Sequence, residues 1–111
     1  MSNPPDQVDV LAQLAGALGL LDSSSGDVKA SRDFLRMVAI EFARAEAEYP
    51  RYHSLHEGES ILREEFEEFW DEVKLKASKR DPVRIAAELV QIAAVALRIY
   101  VSCVAPKEGG R

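Results

Sequence analysis

The chain has 111 residues, about the size of one domain. Apolar residues make up 47% and charged residues 30%, with 6 Gly and 5 Pro, which excludes a disordered or fibrous protein. A formal charge of -5 argues against a nucleic-acid polymer or an anionic membrane as the main partner, because both demand a basic face.

Residues 1–5 are expected to form a disordered start, and Met1 to Asp6 lacks the basic region and apolar run of a secretory leader. From about 6 to 21, Val8, Leu11, Leu14, Leu18 and Leu21 recur at steps of three and four, which predicts a first amphipathic helix. The cluster Asp22-Ser23-Ser24-Ser25-Gly26-Asp27 ends it. A second helix is predicted over 30–48, with Phe34, Leu35, Val38, Phe42 and Ala45 as its apolar stripe and Pro50 as its stop.

Ser54-Leu55-His56-Glu57 reads as a capping box, so a third helix is predicted over 55–77. Leu55, Leu62, Phe66, Phe69 and Val73 mark its seam, and Lys74, Lys76, Lys79 and Arg80 suit the negative end of its dipole. Asp81-Pro82 opens a fourth helix over 82–104, with Asp as N-cap and Pro where a missing amide costs nothing.

This fourth helix is apolar nearly all round, but Glu88, Gln91 and Arg98 interrupt it, which a membrane span tolerates poorly. It is therefore expected to be buried. The expected fold is all-α, a four-helix-bundle-like domain over 6–105 completed by oligomerisation as a homodimer or homotetramer, with a flexible tail over 106–111. The lone Cys103 cannot form an internal disulfide and sits in an apolar run, consistent with a reducing cytoplasm.

Carboxylates dominate Glu57 to Glu72, and a solvated acidic face is the ordinary explanation. Position adds to that. Ile61, Glu65, Glu68 and Glu72 each precede a seam residue, about 100° around the helix, and so border the core. Glu65 and Glu68, three apart, can share a hard cation. On the fourth helix Glu88 and Gln91 are also three apart. A buried Glu88 needs either a basic partner such as Arg84 or a metal ion. The predicted contact between these two helices runs along Leu62, Phe66, Phe69, Leu89 and Ala93.

Glu64-Glu65-Phe66-Glu67-Glu68 followed by Glu88-Leu89-Val90-Gln91 is similar to the EExxE and ExxD motifs of the MazG-like all-α nucleoside triphosphate pyrophosphohydrolases. The likeness covers about Leu55 to Val104. His56-Glu57 and Phe69 to Val73 also resemble segments of short phage and bacterial MazG-like proteins. The resemblance implies hydrolysis of a nucleoside triphosphate to the monophosphate and pyrophosphate. It implies that Glu65, Glu68, Glu88 and Gln91 hold Mg²⁺ or Mn²⁺, with Glu64, Glu65 and Glu68 as the catalytic set and Glu64 or Glu72 as an outer ligand or general base.

Gln91 stands where the family pattern has Asp, which lowers the charge of the site by one. Asp71 lies close enough on the helix flank to compensate. Weaker substrate contacts are Glu72, Trp70, Arg98 and Lys76, against packing for Trp70, a solvated helix end for Lys76 and an ion pair for Arg98. Tyr52 and His53 are further candidates to touch a base. Two rival readings need no catalysis: a helical interaction or nucleotide- and metal-binding protein with a degenerate site, and an acidic stripe that binds a basic protein.

Overall fold

The structure is a computed structural model that describes residues 26–107. The predicted helix over 6–21, the start at 1–5 and most of the tail lie outside the described residues. The described residues are helical apart from short connections, with no strand among them, an all-α arrangement. They form α1 (Gly26–Glu48), α2 (Leu55–Val73), a 3₁₀ turn (Ala77–Lys79), α3 (Pro82–Ile99) and a π-helical segment (Tyr100–Val104).

The chain divides into two compact units, 1–35 and 36–111, with the boundary inside α1. In the first unit, the opening turns of α1 are supported by the Ser31 hydroxyl donating to the Asp27 carbonyl at 2.8 Å and by a Lys29–Asp33 ion pair at 2.9 Å. The helix starts four residues earlier than the apolar stripe implied. These small polar residues are compatible with a first turn, where side chains can supply missing backbone partners.

In the second unit, local chemistry sets both helix starts. The Ser54 hydroxyl accepts from Glu57 N at 3.1 Å, and the Glu57 carboxylate reaches back to His53 N at 2.6 Å, one residue before the expected Ser54 amide. Asp81 Oδ1 accepts from Val83 N at 3.0 Å, with Pro82 as first helical residue. α2 ends at Val73 rather than 77, because Arg80 Nε folds back and donates to the Val73 carbonyl at 3.1 Å. That bond satisfies a helix-end acceptor and turns the chain through the 3₁₀ segment.

α2 and α3 then pack antiparallel as a hairpin, with Gly58 against Ile99 at one end and Glu72 against Arg84 at the other. Gly58 sets their closest approach: a Cβ there would lie 2.7 Å from Ile99 Cγ1. This close approach corrects the expected seam. α2 turns Gly58, Ile61, Glu65, Phe69 and Glu72 inward, while Phe66 is 58% exposed and Leu89 on α3 is exposed as well. Leu62, Phe69 and Ala93 of the expected seam are half-buried, Phe66 and Leu89 are not, and Glu65 and Glu72 border the contact as their spacing implied while Glu68 is exposed.

The buried apolar residues of the second unit are few: Val38 and Ala45 on α1, and Val90, Ala94 and Val95 on α3. Pro82–Val104 is long and apolar enough to cross a membrane by length and composition, yet only 22% of it is buried. Leu89, Leu97, Tyr100 and Val104 instead leave an apolar stripe outward. The π-helical segment closes with Ala105 N donating to the Tyr100 carbonyl at 2.8 Å. It presents Ser102 Oγ to Tyr52 N at 3.2 Å, and the Cys103 thiol to the Tyr52 carbonyl at 3.9 Å.

Candidate functional site

Glu65 and Glu68 from α2 and Glu88 from α3 each offer a carboxylate oxygen, and the three oxygens lie within 4.8 Å of one another. The antiparallel hairpin produces this cluster, because it sets the middle of α2 against the second turn of α3. Glu65 and Glu88 are half-buried and Glu68 is exposed, so the group opens to water on one side.

Crowding three acids has an electrostatic consequence. Burial, then the negative charges of Glu68 and Glu88, pushes the Glu65 carboxyl above its ordinary range. Burial first, then the charge of Glu68 and a hydrogen bond with it, raises Glu88, while Arg84 pulls the other way. Carboxylates this close repel one another, and a cation between them would relieve that repulsion. Hard oxygen donors suit Mg²⁺ or Mn²⁺, whose ~2.0–2.2 Å oxygen distances are within reach of small side-chain rotations.

The remaining expected residues distribute around this group. Glu72 is 9% exposed, one turn beyond Glu68, with Arg84 Nη1 at 3.7 Å from its carboxylate. It also adds negative charge beside Glu88. Glu64 is exposed and adds negative charge beside Glu65. Asp71 pairs with Lys74 at 3.0 Å. Trp70 is 52% exposed, Lys76 is exposed beside the 3₁₀ turn, and neither lines the cleft described next.

Arg98 is 4% exposed and is engaged elsewhere than at the acids. Its Nε donates to Glu46 at 2.8 Å, Nη1 to the Tyr52 hydroxyl at 3.3 Å, and Nη2 to the Tyr49 and Pro50 carbonyls at 3.3 and 2.9 Å. Its guanidinium also lies 4.7 Å from the Tyr52 ring centre. Arg98, first, then Arg51 hold the Glu46 carboxyl low against the effect of its burial. Arg98 therefore pins the α1–α2 connection, and it also lines the cleft described next.

Beside the acids lies a cleft of about 400 Å³ lined by residues of α1, the connection, α2 and α3. Glu65 belongs both to the cleft wall and to the acidic cluster. Gln91 lines the cleft one turn beyond Glu88, with its side chain against Glu41 of α1. Arg44 binds Glu41 at 3.0 and 2.5 Å and lowers its carboxyl most; burial opposes this, and the Gln91 contact lowers it further.

Sequence reasoning missed Glu41. The signal was the spacing Val38-Glu41-Ala45: two residues buried in the structure flank it at three and four, putting Glu41 on the same face. Burial also raises the Tyr52 hydroxyl, against the opposing influence of Arg98. No family model, curated protein or solved structure matches the chain.

Proposed function

We propose that the chain is a divalent-cation-dependent nucleotide pyrophosphohydrolase of the MazG-like kind that its acidic motifs resemble. The observation that carries this reading is the convergence of Glu65, Glu68 and Glu88 oxygens from two helices within 4.8 Å. A bound Mg²⁺ or Mn²⁺ would neutralise the triphosphate against the acids and lower the pKa of a water for attack on the α-phosphorus.

The chain's own residues supply the rest. Glu65, Glu68 and Glu88 hold the cation, with Gln91 as a neutral neighbour. Glu64, exposed beside Glu65, would take a proton from an incoming water, and the buried Glu72 would act as an outer partner of the group. The test is pyrophosphate release from a panel of nucleoside triphosphates with Mg²⁺ or Mn²⁺. Turnover that falls by at least about a hundredfold in Glu65→Gln and Glu88→Gln supports the reading. Absence of turnover in the unaltered chain, or turnover indifferent to both substitutions, overturns it.

A second reading, a non-catalytic helical protein that binds nucleotide or metal at a degenerate site, is favoured by one observation: Gln91 leans on Glu41. The oligomer belongs to the same proposal. Phe66 and Trp70 on α2, and Leu89, Leu97, Tyr100 and Val104 on α3, leave apolar surface that a second copy would cover, completing a four-helix bundle as a homodimer or a homotetramer. A bilayer is the poorer cover, because Glu88, in the same apolar helix, stands beside Glu65 and Glu68. A cytoplasmic location accords with this reading.

A further inference from the structure

The cleft beside the acids has a volume in the range of small-molecule sites, roughly 300–1,000 Å³. Its walls divide by chemistry. Ile61, Ala94 and Val95 are apolar, and the half-buried Tyr52 adds a ring held by Arg98, while its backbone N–H donates to Ser102 Oγ. A flat, apolar-faced ligand fits such walls.

The polar part comprises Glu41, Glu57, Glu65 and Gln91, with Arg44 and Arg98. Arg44 gives one hydrogen bond to each Glu41 oxygen, at 3.0 and 2.5 Å. A carboxylate only accepts, so the Gln91 group that meets it is the amide NH₂. The Gln91 carbonyl and second N–H are the groups it can offer a ligand in the cleft it lines. Glu57 and Glu65 line the same cleft, and the guanidinium groups of Arg44 and Arg98, which line it too, already donate to Glu41 and Glu48 and to Glu46, Tyr52 and the Tyr49 and Pro50 carbonyls, so this polar wall offers mainly acceptors. An exocyclic amino group matches it, and a ring nitrogen beside that amine can take the second N–H. The carbonyl-flanked edge of uracil or thymine would instead set oxygen against oxygen.

We propose that this cleft binds the nucleoside of an amino-bearing base, of the cytosine or adenine class, and that Gln91 and Glu41 read its edge. Gln91 is then a specificity determinant. The inference rests on the pyrophosphohydrolase reading for bringing a nucleotide to the site, with the phosphates at the acids and the base across Glu65.

Calorimetric binding of cytidine, adenosine and uridine 5′-monophosphates to the full chain in Mn²⁺ tests it without requiring turnover. The expected result is that cytidine or adenosine monophosphate binds at least about tenfold tighter than uridine monophosphate, and that Gln91→Leu reduces the preference to about twofold or less. Glu41→Gln, which keeps the shape of the wall, is expected to weaken the same preference. If Gln91→Leu does not fold, Gln91→Asn withdraws the amide by one methylene and carries the same expectation. Equal binding of the three nucleotides, no binding of any, or a preference that survives these substitutions overturns the inference. Pyrophosphate release without base discrimination overturns it while leaving the hydrolase reading intact. Base-selective binding with no turnover of any triphosphate overturns the hydrolase reading alone.

Discussion

Glu65 and Glu88 bind a proton more readily in the folded chain than in an unfolded one, because burial and neighbouring carboxylates disfavour their charge. The folded state therefore holds more protons over the window from the ordinary carboxylate range up to their raised values, and stability falls as pH rises through that window. Above it the two acids lower stability by their full amount. Glu65→Gln and Glu88→Gln should each raise the melting temperature at pH 7 by a few degrees, with a smaller gain near pH 4, as scanning calorimetry would read. A lower melting temperature at pH 7 in both would contradict the electrostatic account. Arg98 has the opposite sign. Arg98→Ala leaves Glu46 without its closest partner and removes a donor from the Tyr49 and Pro50 carbonyls, so a loss of about 3–5 kcal/mol is expected in urea unfolding. A loss below about 1 kcal/mol would show that the connection is held by other means.

At the scale of elements, the hairpin depends on the approach of α2 to α3 at Gly58. Gly58→Ala puts a methyl group 2.7 Å from Ile99 Cγ1, close to the branch of that side chain, and should cost about 1–3 kcal/mol. Pairing it with Ile99→Ala, which removes the Cγ1, Cδ1 and Cγ2 atoms that the methyl would meet, should make the double variant less destabilised than the sum of the two single ones; strict additivity would place the strain elsewhere. The same glycine marks the limit of what the amino-acid sequence discloses. The helix starts at Ser54 and Asp81 were legible because capping is local chemistry between near neighbours. The pairing of Glu65 and Glu68 with Glu88 was legible too, from two polar pairs at helical spacing. The close contact at Gly58 was not, since a glycine adds nothing to a hydrophobic pattern, and Phe66 and Leu89 were placed on an inward face that they do not occupy. An ion pair was one of the two roles open to Arg98, but its partner Glu46 was not legible, since it lies on another helix and no spacing rule joins them.

At the scale of the whole molecule, the apolar stripe on α3 and the exposed Phe66 and Trp70 call for a cover. Sedimentation at micromolar concentration should give a dimer or tetramer, and Leu97→Glu should shift it toward monomer without changing its helical content. A stable monomer in the unaltered chain would remove the second copy from the account. The central claim is that the three carboxylates form a cation site, and calorimetric titration with Mn²⁺ tests it most directly. Saturable binding that releases protons near pH 5, and that is lost or weakened at least about tenfold in Glu65→Gln and Glu88→Gln, is the predicted result. No saturable binding, or binding that neither substitution alters, would contradict it.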